Sequence, residues 1–161
     1  MACFRVSIQT DDFDVGAELE TLRAKDSRIG AVCCFVGTVR DRNAGLPDDV
    51  MGMELEHYPG MTERAIEAMM DEARRRFDIL GVRVIHRIGR LQALDQIVLV
   101  AVTSAHRAES FQACEFLMDY LKTQAPFWKK EQTAQGERWV DARVSDDAAL
   151  ARWGVTRSNL G

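Results

Sequence analysis

Apolar positions recur along this chain with two spacings, one typical of strands and one typical of helices. Alternating or continuous apolar runs predict strands over residues 4–8, 30–39, 51–58, 81–89 and 96–102, and two short ones over 127–132 and 138–141. Apolar residues three and four apart predict helices over residues 15–22, 62–77 and 104–124, with a last short helix after residue 145. Because helices alternate with both single strands and strand pairs, the predicted fold class is α+β.

The segment 30–39 is almost continuously apolar, which predicts a strand covered on both faces. It leads into Arg40 and then into the polar, turn-rich residues 41–49, which we expect to form a mobile loop. Loops beside strand ends often close over ligands. This end of the strand is therefore a first candidate for a binding site.

Capping and turn residues mark the expected ends of the helices and of a hairpin. Residues able to cap stand near the start of three predicted helices: Thr62, Ser104 and Ser145. Arg152 and Gly154 should close the last helix, and residues 134–136 are typical of a hairpin turn. Residues 1–154 should thus form a single domain, followed by a disordered tail over residues 155–161.

Composition and charge narrow the class of protein. The chain has 161 residues, of which 47% are apolar, so it can bury a core without disulfides or metals. Its formal net charge of −4 argues against a broadly basic nucleic-acid-binding surface, so any anion must bind at a local site. We expect a cytoplasmic protein, because the sequence shows no charged leader and no run of about 18 apolar residues.

The cysteines fit that compartment. Cys3, Cys33, Cys34 and Cys114 include no Cys-x-x-Cys pair, and the neighbours Cys33 and Cys34 should point to opposite faces of a strand. We therefore expect neither a disulfide framework nor a zinc site, and no bound cofactor.

Cationic side chains collect at the predicted ends of elements, where ligand sites are usually built. Arg40 ends a strand, Lys122 lies in the last turn of the long helix, and Lys129 follows it. His106 and Arg107 begin that helix, where they oppose its dipole. This arrangement reduces helix stability by roughly a few tenths of a kcal/mol unless an anion such as phosphate offsets it.

Each cation also has an ordinary structural interpretation. His106 could cap the helix while Arg107 pairs with a surface carboxylate. Lys122 alone is a good partner for the helix dipole, and Arg40 alone could simply extend its charge into water.

Strand geometry divides the residues that follow the long helix. Lys129 should share a face with Phe127 and Glu131, while Trp128 and Lys130 take the opposite face. At least one of the two lysines should therefore face a wet cleft or solvent.

The histidines at 57 and 86 offer no separate site. His57 and His86 lie within strand patterns, which favours structural roles. The sequence also has no Gly-rich phosphate loop, no Ser-His-Asp order and no metal-ligand spacing that would support another chemistry.

Five longer motifs occur in order along the chain. They are Phe35-Val-Gly-Thr-Val-Arg40-Asp-Arg-Asn43, Leu55-Glu-His-Tyr-Pro-Gly-Met-Thr62, Val84-Ile-His-Arg-Ile-Gly89, Thr103-Ser-Ala-His-Arg107 and Met118-Asp-Tyr-Leu-Lys-Thr-Gln-Ala-Pro-Phe-Trp-Lys129. Together they resemble the MoaE family, the large, catalytic subunits of molybdopterin synthase, over nearly the whole chain. The resemblance implies an α/β hammerhead fold with a small additional antiparallel β subdomain. It also implies a homodimer at the centre of a heterotetramer.

The same resemblance implies an activity. Family members are sulfurtransferases that convert a cyclic pyranopterin monophosphate to molybdopterin by inserting the dithiolene sulfurs. The sulfur arrives as a thiocarboxylate on the C-terminal Gly-Gly of a small ubiquitin-like carrier of the MoaD type. This chain ends in Ser158-Asn-Leu-Gly161, so we expect the carrier to be a different protein.

Motif positions carry the family's functional residues onto this sequence. The resemblance implies catalytic roles for Lys122 and Lys129. It implies substrate binding by Thr38, Val39, Arg40, His106, Arg107, Lys130, Glu131 and, in a less specific motif, Arg143. Substrate phosphate and carrier thiocarboxylate are both anions, so they need positive charge to share one pocket.

Two other classes of function stay open as alternatives. One is a sulfurtransferase that holds sulfur as a persulfide on Cys33, Cys34 or Cys114. The other is a non-catalytic module that binds a phosphorylated metabolite or the carrier alone.

Helix geometry places two of the implied substrate-binding residues far apart. Arg107 and Lys122 are fifteen residues apart in one helix, which is about 22 Å along its axis. One small pterin can hardly touch both, so the simplest prediction is a site shared between two protomers related by a two-fold axis.

Overall fold

A computed structural model describes residues 3–24, 26–40, 50–133, 136–140 and 144–154 of the chain. The described residues form eight strands: β1 (Phe4–Gln9), β2 (Ala31–Thr38), β3 (Val50–His57), β4 (Gly81–Arg87), β5 (Gly89–Gln92), β6 (Gln96–Ser104), β7 (Phe127–Thr133) and β8 (Gly136–Val140). They also form four helices: α1 (Val15–Arg23), α2 (Met61–Arg76), α3 (Arg107–Gln124) and α4 (Val144–Ala151). The predicted α+β class is confirmed. None of the described helices is long and apolar enough to cross a membrane.

The first sheet has the strand order β1-β4-β6-β2. Its central strands send alternate residues to the two faces. Val84 and Val100 pack under α2 and α3, while Ile85 and Leu99 pack under α1. Strand β1 runs parallel to β4, and β2 runs antiparallel to β6.

Strand β2 differs from the expectation of a strand covered on both faces. It lies at the edge of the first sheet, where Val32 is 38% exposed and Phe35 is 41% exposed. On the face of Val32, α1 packs over β4 and β6 and leaves the edge strand beside them uncovered. Phe35 pairs with Val100 and therefore lies on the α3 face, where the helix covers it only in part. A continuous apolar run therefore does not establish that both faces of the strand are covered within a single protomer.

The second sheet is the small antiparallel subdomain, with the strand order β5-β3-β7-β8. The apolar pattern predicts a single strand over residues 81–89, whereas the structure divides this region into β4 and the separate strand β5. Gly89 has a φ of +83°, a conformation that glycine adopts readily, and there the chain leaves the first sheet and enters the second. The predicted hairpin is confirmed, because Thr133 pairs with Gly136. Residues 134 and 135 between them lie outside the described residues, as do the predicted loop 41–49 and the tail 155–161.

The three predicted helix caps are wrong. Helix α2 is capped at Gly60, whose N–H donates to the Glu63 carboxylate, and Thr62 lies inside the first turn. Ser104 ends β6, and its hydroxyl donates to the backbone carbonyl of His106 at 2.6 Å. Ser145 lies within α4 and not before it. A hydroxyl near a helix start can bond elsewhere, and in the first two cases it does.

The closing glycine of the last helix is confirmed. Gly154 has a φ of +73°, and its N–H donates to the carbonyl of Ala151 at 2.9 Å. Trp153 beside it packs edge-on against Phe77 and Phe116, so this end of α4 is held on the core.

Candidate active site

A cavity of about 330 Å³ opens where the C-terminal ends of β2 and α3 meet. Both elements run antiparallel to β6, so they end together beside its first residues. The described lining residues are Phe35, Val36, Gly37, Thr38, Arg40, His86, Ile97, Val98, Met118, Leu121 and Lys122. Three of the predicted site residues, Thr38, Arg40 and Lys122, are thereby brought together.

The end of β2 is shaped by close packing at Gly37. A Cβ atom there would lie 2.7 Å from Cγ1 of Val98, so a larger residue would force the Val98 side chain or the backbone to shift. The pairing of β2 with β6 changes register between Gly37 and Thr38. Irregularities of this kind re-aim side chains at the rim of a sheet.

Val39 does not line the cavity, although it lies between two residues that do. Its side chain is buried in a cluster with Met53, Leu55 and Leu91 of the second sheet. Its N–H donates to the carbonyl of Asp95 at 2.9 Å. Val39 therefore fixes the strand end that carries Thr38 and Arg40.

His86 also lines the cavity, although its position within a strand pattern favours a purely structural role. It is only 9% exposed, its Nδ1 lies 2.8 Å from the carbonyl oxygen of Arg87, and its ring stacks on Phe127 with centroids 3.9 Å apart. Burial is the main cause that lowers the pKa of His86 to about 4, and the nearby Lys122 and His57 act in the same direction. The ring is therefore neutral near pH 7.

Strand β7 presents its lysines as strand geometry predicted. Phe127 and Lys129 pair with His57 and Leu55 of β3 and share one face, the face on which Phe127 contacts His86. Trp128 lies on the other face against Tyr58, with ring centroids 3.9 Å apart. Lys129 therefore lies on the same face of β7 as Phe127, which contacts the cavity residue His86, but Lys129 does not itself line the cavity.

The structure gives less detail for the other predicted site residues near β7. Lys130 pairs with Glu54 and lies on the Trp128 face of β7. For Glu131 the structure describes only the backbone pairing, with Met53 and Arg138. Arg143 lies outside the described residues.

Thr62 holds the junction between α3 and β7, a role that its sequence position did not reveal. Its hydroxyl donates to the carbonyl of Pro126 at 2.9 Å and accepts from the N–H of Tyr58 at 3.0 Å. Pro126 lies between Lys122 and Lys129, so this bond fixes both lysines relative to α2. The only signal was a polar residue inside an apolar helix face.

The sequence matches a model of one protein family, described as MoaE protein, over residues 8–124. The chain belongs to the MoaE family. It is 61% identical to the molybdopterin synthase catalytic subunit of Ralstonia nicotianae, over 96% of this chain and 86% of that one. It is therefore an enzyme of the molybdopterin synthase kind, as the motifs implied.

Solved structures agree with the family assignment. The molybdopterin biosynthesis MoaE protein from Burkholderia ambifaria has a TM-score of 0.80 and 61% identity, covering 96% of this chain and 99% of that one. A complex of subunits 1 and 2 of the molybdopterin-converting factor from Helicobacter pylori contains a chain of the same fold. That chain has a TM-score of 0.70 and 19% identity, covering 86% of this chain and 91% of its own length.

The other cations that match MoaE motifs lie at the opposite end of α3. His106 and Arg107 are exposed, and His106 is the N-cap without a side-chain capping bond. The turn before them packs on Gly30, where any Cβ atom would collide with the carbonyl of Ala105. The structure therefore does not bring His106 and Arg107 to Lys122 within one chain.

A larger cavity of about 690 Å³ lies between α1 and the β1–β4 side of the first sheet, and no MoaE motif residue named above lines it. Two of the three arginines that line it have carboxylate partners: Arg83 bonds Glu18 at 3.0 Å and Arg28 bonds Asp26 at 2.8 Å.

Proposed function

We propose that this chain transfers sulfur to a cyclic pyranopterin monophosphate and so forms the dithiolene of molybdopterin. The observation that carries the proposal is the convergence of Arg40 and Lys122 on one cavity in a protein of net charge −4. A local positive site suits two anions that must meet, the substrate phosphate and the carrier thiocarboxylate.

The sulfur donor in this proposal is the C-terminal thiocarboxylate of a small ubiquitin-like subunit. Each transfer exchanges a carrier sulfur for an oxygen, so the carrier leaves as a carboxylate and no outside oxidant or reductant is needed. The two-subunit complex from Helicobacter pylori supports a second subunit as partner. A cytoplasmic location is part of the same proposal.

The described residues suggest separate roles. Arg40 is exposed at the cavity and suits the phosphate, because a guanidinium can bind two phosphate oxygens at once. Lys122 lines the same cavity and is assigned to the chemical step on the incoming thiocarboxylate, with Lys129 on the neighbouring strand β7 as a second candidate. Substrate binding is also proposed for Thr38, Lys130, Glu131 and Arg143, whereas Val39, which is buried outside the cavity, serves to position Thr38 and Arg40.

The proposal includes a homodimer whose site is completed by the partner subunit. His106 and Arg107 lie about 22 Å along α3 from Lys122, so they would have to come from a second protomer to reach the same substrate. A two-fold axis that is perpendicular to α3 and passes beside it makes the partner helix antiparallel. It thereby sets the N-terminal end of one α3 next to the C-terminal end of the other.

The open edge of β2 is the surface that fits such a pairing. The strand carries no charged residue from Ala31 to Thr38, and the described residues pair only its β6 side. Three large apolar side chains along β2 and the adjoining α3 are exposed: Val32, Phe35 and Phe111, the last by 61%. Exposed apolar edges of this kind are typical of interfaces.

A reconstituted reaction tests the proposed function directly. Purified protein is mixed with thiocarboxylated carrier and cyclic pterin substrate, and dithiolene product is measured over time. We expect multiple turnovers that require all three components. Binding of either ligand without any product would instead favour the non-catalytic module.

A further inference from the structure

We propose that His86 contacts the substrate directly, with its Nε2 atom accepting a hydrogen bond from an N–H group of the pterin ring. The inference rests on the proposed function for the identity of the ligand. It assigns a role to a residue outside the set that the motifs implied. It also gives the substrate an orientation, with its ring inward and its phosphate outward.

The first step is the tautomer of the imidazole. Nδ1 of His86 lies 2.8 Å from the carbonyl oxygen of Arg87. A carbonyl oxygen only accepts hydrogen bonds, so Nδ1 must carry the hydrogen. A neutral imidazole has one N–H, which leaves Nε2 with a free lone pair.

The second step is where that lone pair lies. Nε2 has no hydrogen-bond partner within the described residues. His86 itself borders the 330 Å³ cavity. We take this second ring nitrogen to be the atom that faces the cavity.

The ring is held so that it cannot turn this atom away. Phe127 stacks on it with an interplanar angle of 19°, and the bond to Arg87 fixes its rotation. Because burial lowers the pKa of His86 to about 4, Nε2 stays an acceptor at neutral pH.

The third step is what such an acceptor recognises. The charged side chains of the described cavity lining, Arg40 and Lys122, are donors only, and both are exposed at the mouth. The buried His86 offers the opposite polarity deeper in the wall. A reduced pterin has phosphate oxygens that need donors, and ring and amino N–H groups that need acceptors. The two ends of the ligand thus match the two depths of the cavity.

Two substitutions separate the nitrogens of the ring. The amide of Asn in His86→Asn can replace Nδ1 but cannot reach the position of Nε2, whereas Gln in His86→Gln can place an oxygen there. Without the acceptor, a buried N–H group of the substrate has no hydrogen-bond partner. We therefore expect His86→Asn to raise KM roughly 5- to 100-fold with a smaller change in kcat. His86→Gln should stay within about 3-fold of the wild type. Equal kinetics for the two variants would overturn the proposal.

A measurement on the unaltered protein covers the case in which a variant fails to fold. The chain has three histidines, so a sample labelled with ¹⁵N-histidine gives a readable spectrum. Addition of cyclic pterin without carrier should shift the unprotonated Nε2 resonance of His86 and leave its Nδ1 protonated. His57, which pairs with Glu63 at 3.2 Å, is the internal control and should not move.

Calorimetry on the same sample separates the two possible failures. Pterin that binds and is turned over while Nε2 of His86 stays unshifted would overturn the assignment of His86 alone. Absence of both pterin binding and turnover in the unaltered protein would overturn the proposed function, and with it the ligand on which the assignment depends.

Discussion

The two ends of α3 carry the same kind of side chain in different surroundings. At the C-terminal end, Lys122 lies with Arg40 and His86 around a cavity. At the N-terminal end, His106 and Arg107 are exposed, and neither lines either of the two cavities described above. Cations at element ends are thus one sequence signal with two structural outcomes.

The difference comes from the second sheet, whose contacts given by the described residues cluster around the C-terminal end of the helix. Phe127 stacks on His86, Thr62 bonds Pro126, and Val39 joins the cluster of the second sheet. The other end rests on a tight turn at Gly30. A complete pocket requires walls from two layers, so an exposed pair of cations becomes a site only when another molecule covers it.

Removing the amine at the enclosed end should have the largest effect. Lys122→Ala should lower kcat by about 10² to 10⁴, because general acid–base and nucleophilic groups typically contribute that much. Carrier affinity, measured by calorimetry, should change little, since the lysine is assigned to chemistry and not to docking. Single-turnover formation of dithiolene measures the effect.

Two further variants control that prediction. Lys122→Arg keeps the charge but cannot give up a proton near neutral pH, so it should stay inactive; normal turnover would reduce Lys122 to an electrostatic role. Gln112→Ala, at an exposed position on the same helix, should leave turnover unchanged.

Mixing two inactive variants tests whether the exposed end completes the enclosed one. Arg107→Ala and Lys122→Ala proteins should regain activity on subunit exchange, because each heterodimer has one site with both groups. Random pairing would make roughly a quarter of all sites intact in a dimer with two equivalent sites.

The interface provides the control for subunit exchange. Val32→Lys puts a charge on the open edge of β2 and should give monomers in sedimentation and abolish the rescue. If exchange is demonstrated and activity stays at the level of the separate variants, the two helix ends serve different ligands.

The sequence predicted the local structure of both ends and not their difference. Apolar spacing located α3 and the strands on either side of it, and strand alternation separated Lys129 from Lys130. The covering of one end depends on contacts between distant residues, such as the bond from Thr62 to Pro126, 64 positions away. Periodicity cannot show such contacts, and for that reason His86 was interpreted as structural although it borders the cavity.

Acid should destabilise the enclosed end through His86. The folded pKa is about 4 and the unfolded pKa about 6.5, so the unfolded chain binds the extra proton first. The stabilisation is full above pH 6.5 and is lost as the pH falls toward 4. Between pH 7 and pH 5 this residue should cost about 2 kcal/mol in the free energy of unfolding.

Urea unfolding at the two pH values measures that loss. His86→Gln has no titrating ring, so its free energy of unfolding should fall by about 2 kcal/mol less than that of the wild type over this interval. An equal pH dependence in both proteins would mean that His86 is protonated in the fold or titrates normally.

Loosening the link between the layers should have a moderate effect. Thr62→Val keeps the shape of the side chain but leaves the Pro126 carbonyl and the Tyr58 N–H without their partner, which should cost about 1–3 kcal/mol in the free energy of unfolding. The urea midpoint should fall at an unchanged slope. Thr62→Ser retains the hydroxyl and should lose less; similar losses for both would trace the effect to packing.

Removing every thiol should have the smallest effect on turnover. Cys33 and Cys114 lie near the middle of β2 and α3, between the two ends, so a persulfide on either would move the chemistry away from Lys122. Cys114 is buried, and burial raises the pKa of its thiol, which makes it a poor nucleophile. Ser at positions 3, 33 and 34 with Cys114→Ala should therefore leave kcat within about 2-fold, since sulfur held on the carrier requires no protein thiol. Far-ultraviolet circular dichroism verifies that the variant is folded. A folded variant that has lost turnover would support the persulfide mechanism, and the chemistry would then not depend on which end of α3 is enclosed.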